Sequence, residues 1–192
     1  MLFRSVLLDL AEEREEVYQL RDLILKHILD RIEALQAFDV DGFLLRDDWG
    51  AQDRLLLSPA LWREFFQPAY RQIAEAAQSA GKHLEFHTDG QTRDILPDLV
   101  EIGCQVLNPQ MTVAGIDWVS RTLGGRVCIH TDLDRQHILP HGTPEGVEQH
   151  VHEALAAFGR FHGGCLGGGE ISPDVPLENA EAMLQAIWEH RF

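Results

Sequence analysis

Lysine is nearly missing from this chain. Only Lys26 and Lys82 occur, and 16 Lys+Arg stand against 31 Asp+Glu, for a formal charge of −15. So acidic a chain offers no electrostatic footprint to phosphate backbones or anionic lipid, which argues against a nucleic-acid or membrane-surface partner. No apolar run approaches the roughly 18 residues of a membrane span. The N-terminus turns acidic at Glu12 and has no small-residue cleavage site, so it does not read as a signal peptide. The three cysteines, Cys104, Cys128 and Cys165, are too few and too scattered for a disulfide framework, and a reducing cytoplasm is the expected location. What is present is ordinary for a globular domain: 45% apolar and 24% charged residues over 192 positions, enough for one domain with a sizeable core.

Helical and strand patterns alternate along the chain. Val17, Leu20, Ile24, Ile28, Ile32 and Leu35 recur at three- and four-residue spacing within a helical stretch from Val6 to Phe38, whose charges form a solvated face. Val40 to Arg46 reads as a first strand. Ser58-Pro59 caps and opens a long helix to about Ala80, which stops at Gly81. Further strands are expected at 83–87, 104–107, 126–130 and, more weakly, in the glycine-rich 164–168. Helices are expected at 94–102, 116–123, from Thr143-Pro144 to about 158, and 176–190.

Such alternation implies βαβ units and a parallel sheet. All five strands end in polar groups: Asp47 and Asp48, His87 and Asp89, Asn108 and Gln110, His130 and Asp132, and Glu170. In a (β/α)₈ barrel that end is the active-site face, whereas a doubly wound sheet concentrates polar groups at one switch point. The expected fold class is therefore α/β of the (β/α)₈ TIM-barrel type, with about five of eight strands present. Period-two alternation places Glu85, His87 and Asp89, and likewise Cys128, His130 and Asp132, toward the barrel axis or mouth. Leu84, Phe86, Val127 and Ile129 are left for the helices. Three strands are expected to precede Val6, making residues 1–192 a single domain that is the C-terminal portion of a larger barrel. Met1-Leu2-Phe3-Arg4-Ser5 matches what the end of a common sequencing adapter encodes when its frame opens at a GTG codon, so these five residues are expected to be adapter-derived. Unpaired parallel edges would leave the chain alone inactive and prone to association.

Several segments, in order, resemble the uroporphyrinogen decarboxylase superfamily. They are Asp47-Asp48-Trp49-Gly50-Ala51-Gln52 with Leu57-Ser58-Pro59 through Pro68-Ala69-Tyr70, then His87-Thr88-Asp89-Gly90 with Asp94-Ile95-Leu96-Pro97-Asp98-Leu99, then Leu107-Asn108-Pro109-Gln110, and last Pro173-Asp174-Val175-Pro176-Leu177-Glu178-Asn179. The resemblance implies a (β/α)₈ barrel and one of two activities on a small-molecule substrate. One branch decarboxylates a tetrapyrrole without a cofactor. The other transfers methyl groups with zinc and a thiol or a corrinoid protein partner. His87-x-Asp89 looks like the second branch's His-x-Cys zinc motif with Asp for Cys.

Residues two apart on a strand share a face, so His87 and Asp89 can reach one ion, with Glu170 or Cys165 as further ligands. Loss of a thiolate weakens the zinc case, and a hydrogen-bonded pair that recognises substrate is the other reading. Asp48 and His130 join His87 and Asp89 as catalytic candidates, His130 as a proton carrier or a satisfied interior histidine. Asp47, Trp49, Asn108, Gln110 and Asp132 are candidate substrate contacts. Of the adjacent Asp47 and Asp48 only one can face the axis, and the other is expected to cap a loop or helix. Trp49 has core packing as its other role, and Cys128 reads as a small core residue. His137, His141, His150, His152 and His162 are read as solvated. The basic cluster that the decarboxylase branch carries in its N-terminal third has no counterpart here. A non-catalytic ligand-binding or scaffold protein on the same barrel is the alternative to an enzyme, and a homo-oligomer stays open.

Overall fold

A computed structural model describes residues 2–161 and 164–190. The elements run α1 (Leu2–Ala11), α2 (Glu15–Leu35), β1 (Gly42–Arg46), α3 (Pro59–Phe65), α4 (Gln67–Ser79), β2 (His83–Thr88), α5 (Leu96–Ile102), β3 (Val106–Pro109), α6 (Met111–Ala114), α7 (Ile116–Leu123), β4 (Cys128–His130), α8 (Ile138–His141), α9 (Pro144–Gly159), β5 (Cys165–Leu166) and α10 (Leu177–Glu189). The five strands form one sheet in the order β1-β2-β3-β4-β5, every pair parallel. Such an order has no switch point, and it is what a consecutive segment of a barrel wall gives.

The alternation seen in the sequence sorts the two faces. Leu84, Phe86, Leu107 and Ile129 are fully buried under the helices. Glu85, His87, Asn108 and His130 take the other face, which is lightly covered: Leu44 and Leu166 are each about half exposed there. Transfer of the first set out of water, at about 25 cal/mol per Å² of apolar surface, is the main force holding helices to sheet.

Helix boundaries follow local chemistry. Ser58 and Thr143 cap α3 and α9, accepting hydrogen bonds from the Leu61 and Gly146 amides at 3.2 Å. The single helix expected over 58–80 is two, divided at Phe66, because Pro68 has no N–H to donate and opens the first turn of α4. The helix expected over 6–38 is also two. Glu13 turns the chain with φ 54°, and Leu10, Val17 and Phe65 pack together at that corner. Along α2 the residues buried are Val17, Leu25 and Ile32, while Leu20, Ile24 and Leu35 from the expected apolar stripe are exposed. α6 and α8, four residues each, are too short to leave a periodic signal.

Trp49 and Tyr70 anchor the β1 end of the sheet. Trp49 is buried against Phe66 and Trp62, and its indole N–H donates to the Tyr70 hydroxyl at 3.0 Å. That hydroxyl in turn donates to the Asp47 carboxylate. Burial raises the Asp47 pKa, and the Tyr70 hydrogen bond acts against the rise. Tyr70→Phe strands a buried carboxylate and an indole N–H together, and should destabilise the protein by about 1–3 kcal/mol in urea unfolding. An unchanged midpoint would show that water replaces the hydroxyl.

Candidate active site

Parallel β2 and β3 place His87 beside Asn108 in register. Their side chains meet at 2.6 Å, His87 Nδ1 to Asn108 Oδ1. The Asn108 amide is itself oriented, because its Nδ2 donates to the carbonyls of His130 and Thr131 at 2.9 and 3.3 Å. Oδ1 must then accept, so Nδ1 of His87 carries the proton and Nε2 is left to face the cavity mouth. There Nε2 lies 3.4 Å from Asp89 and 3.8 Å from Asp48. A proton added at Nε2 would be hydrogen-bonded to Asp89, the largest of the influences that raise the His87 pKa, and the same contact, with Arg135, lowers that of Asp89.

The two loops that carry these carboxylates are fastened by backbone. The Gly50 amide donates to Asp89 O at 3.0 Å, the Gln91 amide to Ala51 O at 2.7 Å, and the Asp89 amide to Asp48 Oδ1 at 3.1 Å. Gly90 has φ +80°, and a Cβ there would lie 2.3 Å from the Gly50 backbone, so only glycine permits the approach. Asp48, His87 and Asp89 each offer one ligand atom, all within 4.8 Å of one another.

Arg135, in the loop after β4, joins three strand ends. It donates to Asp89, reaches Glu170 at 2.5 Å, and lies 3.9 Å from Asp132. Sequence reasoning missed it because it stands on no strand and in no motif. Asp132 is buried and its Oδ2 has no hydrogen-bond partner among the described residues. Burial pushes its carboxyl up to about 6, and Arg135 pulls the other way without cancelling it. His130 is held by Glu85, Nδ1 to Oε1 at 2.7 Å. Its Nε2 lies where a Cβ on Gly168 would come within 2.5 Å, which accounts for a glycine-rich strand at this place. His87, Asn108, His130, Asp132, Arg135 and Glu170 line one cavity of about 240 Å³, with Arg46 at the end of β1.

The placements of Gln110, Cys165, Glu170 and His150 differ from expectation, and Trp49 takes the core-packing one of its two expected roles. Trp49 lies in the aromatic core behind the site, not on the cavity. Gln110 is buried and accepts from the Gly90 amide at 2.9 Å, so it holds the turn after β2 instead of facing a substrate. Cys165 pairs in register with Ile129, so its side chain takes the helix-facing side, and burial pushes its thiol up to about 12. It does not join the ligand cluster, nor does Glu170, which is held by Arg135. Asp47 and Asp48 divide as alternation requires, Asp47 toward Tyr70 and Asp48 to the mouth. Of the histidines read as solvated, His150 is buried and accepts from the Asp134 amide at 3.0 Å. His162 lies outside the described residues.

Asp132 makes the stability of the protein pH-dependent. Its folded pKa, about 6, is above the unfolded value near 4, so the native state holds the proton longer and stability falls as pH rises between them. Full titration removes on the order of 3 kcal/mol. In urea unfolding, wild type relative to Asp132→Asn should lose most of that amount from pH 4 to pH 7. A difference that does not change with pH would show that folding leaves the Asp132 pKa unshifted.

The comparisons with known proteins agree with this architecture. The family model "Uroporphyrinogen decarboxylase (URO-D)" matches residues 2–190. The chain is 25% identical to the uroporphyrinogen decarboxylase of Xanthomonas axonopodis pv. citri over 191 residues, covering 90% of this chain and 49% of that protein. It is also 25% identical to that of Pseudoalteromonas translucida over 183 residues, covering 92% and 49%. A solved methyltransferase from Methanosarcina mazei superposes with TM-score 0.78 at 20% identity, covering 97% of this chain and 53% of the other. The chain thus spans about half the length of the curated relatives it matches. With the family pattern running from the first helix to the last, the chain belongs to the uroporphyrinogen decarboxylase family.

Proposed function

We propose that the chain is the C-terminal portion of a barrel enzyme that transfers a methyl group at a metal centre formed by His87, Asp89 and Asp48. The supporting observation is the convergence of one imidazole nitrogen and two carboxylates within 4.8 Å, with the imidazole oriented from behind by Asn108. A second hydrogen bond of this kind is what fixes the tautomer of metal-binding histidines. The donor set suits zinc, which accepts nitrogen and carboxylate oxygen, and three protein ligands leave a position open. When bound, the metal supplies a Lewis acid that lowers the pKa of a thiol or orients a methyl donor. The chain's own residues do the remaining work. Asn108 holds the His87 proton on Nδ1. Arg135 offsets part of the charge of Asp89 and ties it to Glu170. Glu85 keeps a proton on His130 Nδ1 at the cavity wall. The methyl source or acceptor on this reading is a thiol or a corrinoid protein at the open mouth.

A second reading, decarboxylation without a cofactor, has its own observation. Loss of carbon dioxide leaves an electron pair on carbon that needs a proton. Asp132, which lines the cavity with a pKa raised to about 6, is suited to give one. The names of the curated relatives favour this reading and that of the structural neighbour favours the first, though its likeness carries the fold alone.

The test is made on the full-length protein. Metal analysis and zinc titration should find about one ion per chain. His87→Ala should abolish binding, and Asn108→Ala should weaken it by roughly 10–100-fold. Asp89→Cys should bind zinc at least as tightly as wild type. If metal content is the same in His87→Ala, the methyl-transfer reading fails. Loss of carbon dioxide release in Asp132→Asn would then establish the second. Saturable binding with no turnover would make the protein a ligand-binding module.

A further inference from the structure

Among the described residues, one charge at this site, that of the exposed Arg46, has no opposite. Arg46 ends β1 on the axis-facing side, in register with His87, and lines the cavity with His130 and Asp132. The other charged groups around it are engaged. His87 lies against Asp89 and Asp48, His130 against Glu85, and Arg135 against Asp89, Asp132 and Glu170. Arg46 has no ion pair and no side-chain hydrogen bond among the described residues, although Asp48, Asp89 and Glu170 line the adjoining mouth with it. A guanidinium cannot give up its charge, and its planar fork suits a carboxylate in bidentate contact.

Asp132 complements it. This side chain is 6% exposed, follows β4 and lines the same cavity, while its Oδ2 is buried without a hydrogen bond, 3.9 Å from Arg135. A fixed cation from the first strand and a buried acid beyond the fourth give the cavity wall two differing ends. We infer that the site takes a small molecule with a single carboxylate, held by Arg46, whose uncharged polar end is turned to Asp132.

Among the described residues the charge balance favours a carboxylate over a phosphate. Arg46 and Arg135 stand against Asp48, Asp89 and Glu170, so the surroundings are already net negative before Asp132 is counted. A monoanion on Arg46 meets that repulsion once, and a phosphate near neutral pH meets it almost twice. The inference names the substrate class of the site proposed above and rests on that reading for the reaction, while the anion contact involves no metal ligand.

The experiment uses the full-length protein and three probes: propionate, its neutral amide propionamide, and inorganic phosphate, titrated by ligand-observed NMR. Propionate should bind saturably, with propionamide at least tenfold weaker. Arg46→Gln should weaken propionate at least tenfold, and Arg46→Lys by less, since it keeps the charge and loses the fork. Bound metal should be unchanged in both variants, which separates this test from that of the metal centre. Equal binding of propionate and propionamide, or wild-type propionate binding by Arg46→Gln, overturns the inference. Phosphate binding tighter than propionate overturns the carboxylate assignment. Loss of metal in His87→Ala with propionate binding intact supports both proposals. An Arg46-dependent propionate response in a protein that binds no metal retains the substrate class and removes the methyl-transfer reading.

Discussion

Asn108 receives its orientation from two backbone carbonyls of the neighbouring strand and passes it to His87. A neutral imidazole has one donor and one acceptor nitrogen, and a free side chain exchanges them. Here the exchange would set an unprotonated Nδ1 against a carbonyl oxygen, at a cost comparable to a lost buried hydrogen bond. Three adjacent strands thus share one polar contact line, His87 on β2, Asn108 on β3 and the end of β4. The sheet that buries Phe86, Leu107 and Ile129 on one face is the device that sets the tautomer on the other. Packing and chemistry are two faces of one register.

The loops that carry the carboxylates around His87 are fastened mainly by backbone contacts. Gly50 and Gly90 touch, Gln110 holds the Gly90 amide, and the Asp89 amide finds Asp48. Three carboxylates and a buried fourth in so small a region would repel one another without a cation. Arg135 is that cation, and it works at low solvent exposure, where Coulomb terms exceed those of a surface pair. It draws Asp89 to one side while leaving Asp48 uncommitted to any cation.

Much of the architecture was legible in sequence because it depends on period and on caps. Leu84 and Phe86 against Glu85 and His87 is a period-two pattern that any half-buried strand shows, and Ser58-Pro59 is a local start signal. What could not be read depends on contacts distant in sequence. Arg135 is one arginine among many until the ends of β2 and β5 come to it. Cys165 looks like a ligand by composition, but a register that pairs it with Ile129 turns it to the helices. Gln110 and Trp49 end up one layer behind the surface, since polar atoms on both can be satisfied within the protein. His150 occupies an apolar helix face because a single amide, that of Asp134, meets its ring nitrogen. Pro68 is a local signal of the other kind, since a proline in the tenth position of a proposed helix predicts a break.

The two proposed reactions ask opposite things of charge. A metal centre needs carboxylates left uncompensated, and it gains from an imidazole whose lone pair faces out. Loss of carbon dioxide needs the reverse: cations for the departing or remaining carboxylates, and an acid that keeps its proton near neutrality. This site provides both, but in different places. Asp48, His87 and Asp89 form a negative lip at the mouth, while Arg46 and Asp132 lie on the cavity wall with an unpaired cation and a raised acid. Arg135 stands between them and belongs to each, pairing with Asp89 on one side and approaching Asp132 on the other. A cation arriving at the lip would weaken the hold of Asp89 on Arg135 and leave more of its charge for Asp132, lowering the pKa of that acid. On the proposed readings, metal occupancy and proton donation by Asp132 would compete through one guanidinium, so that one chemistry would be favoured at the expense of the other.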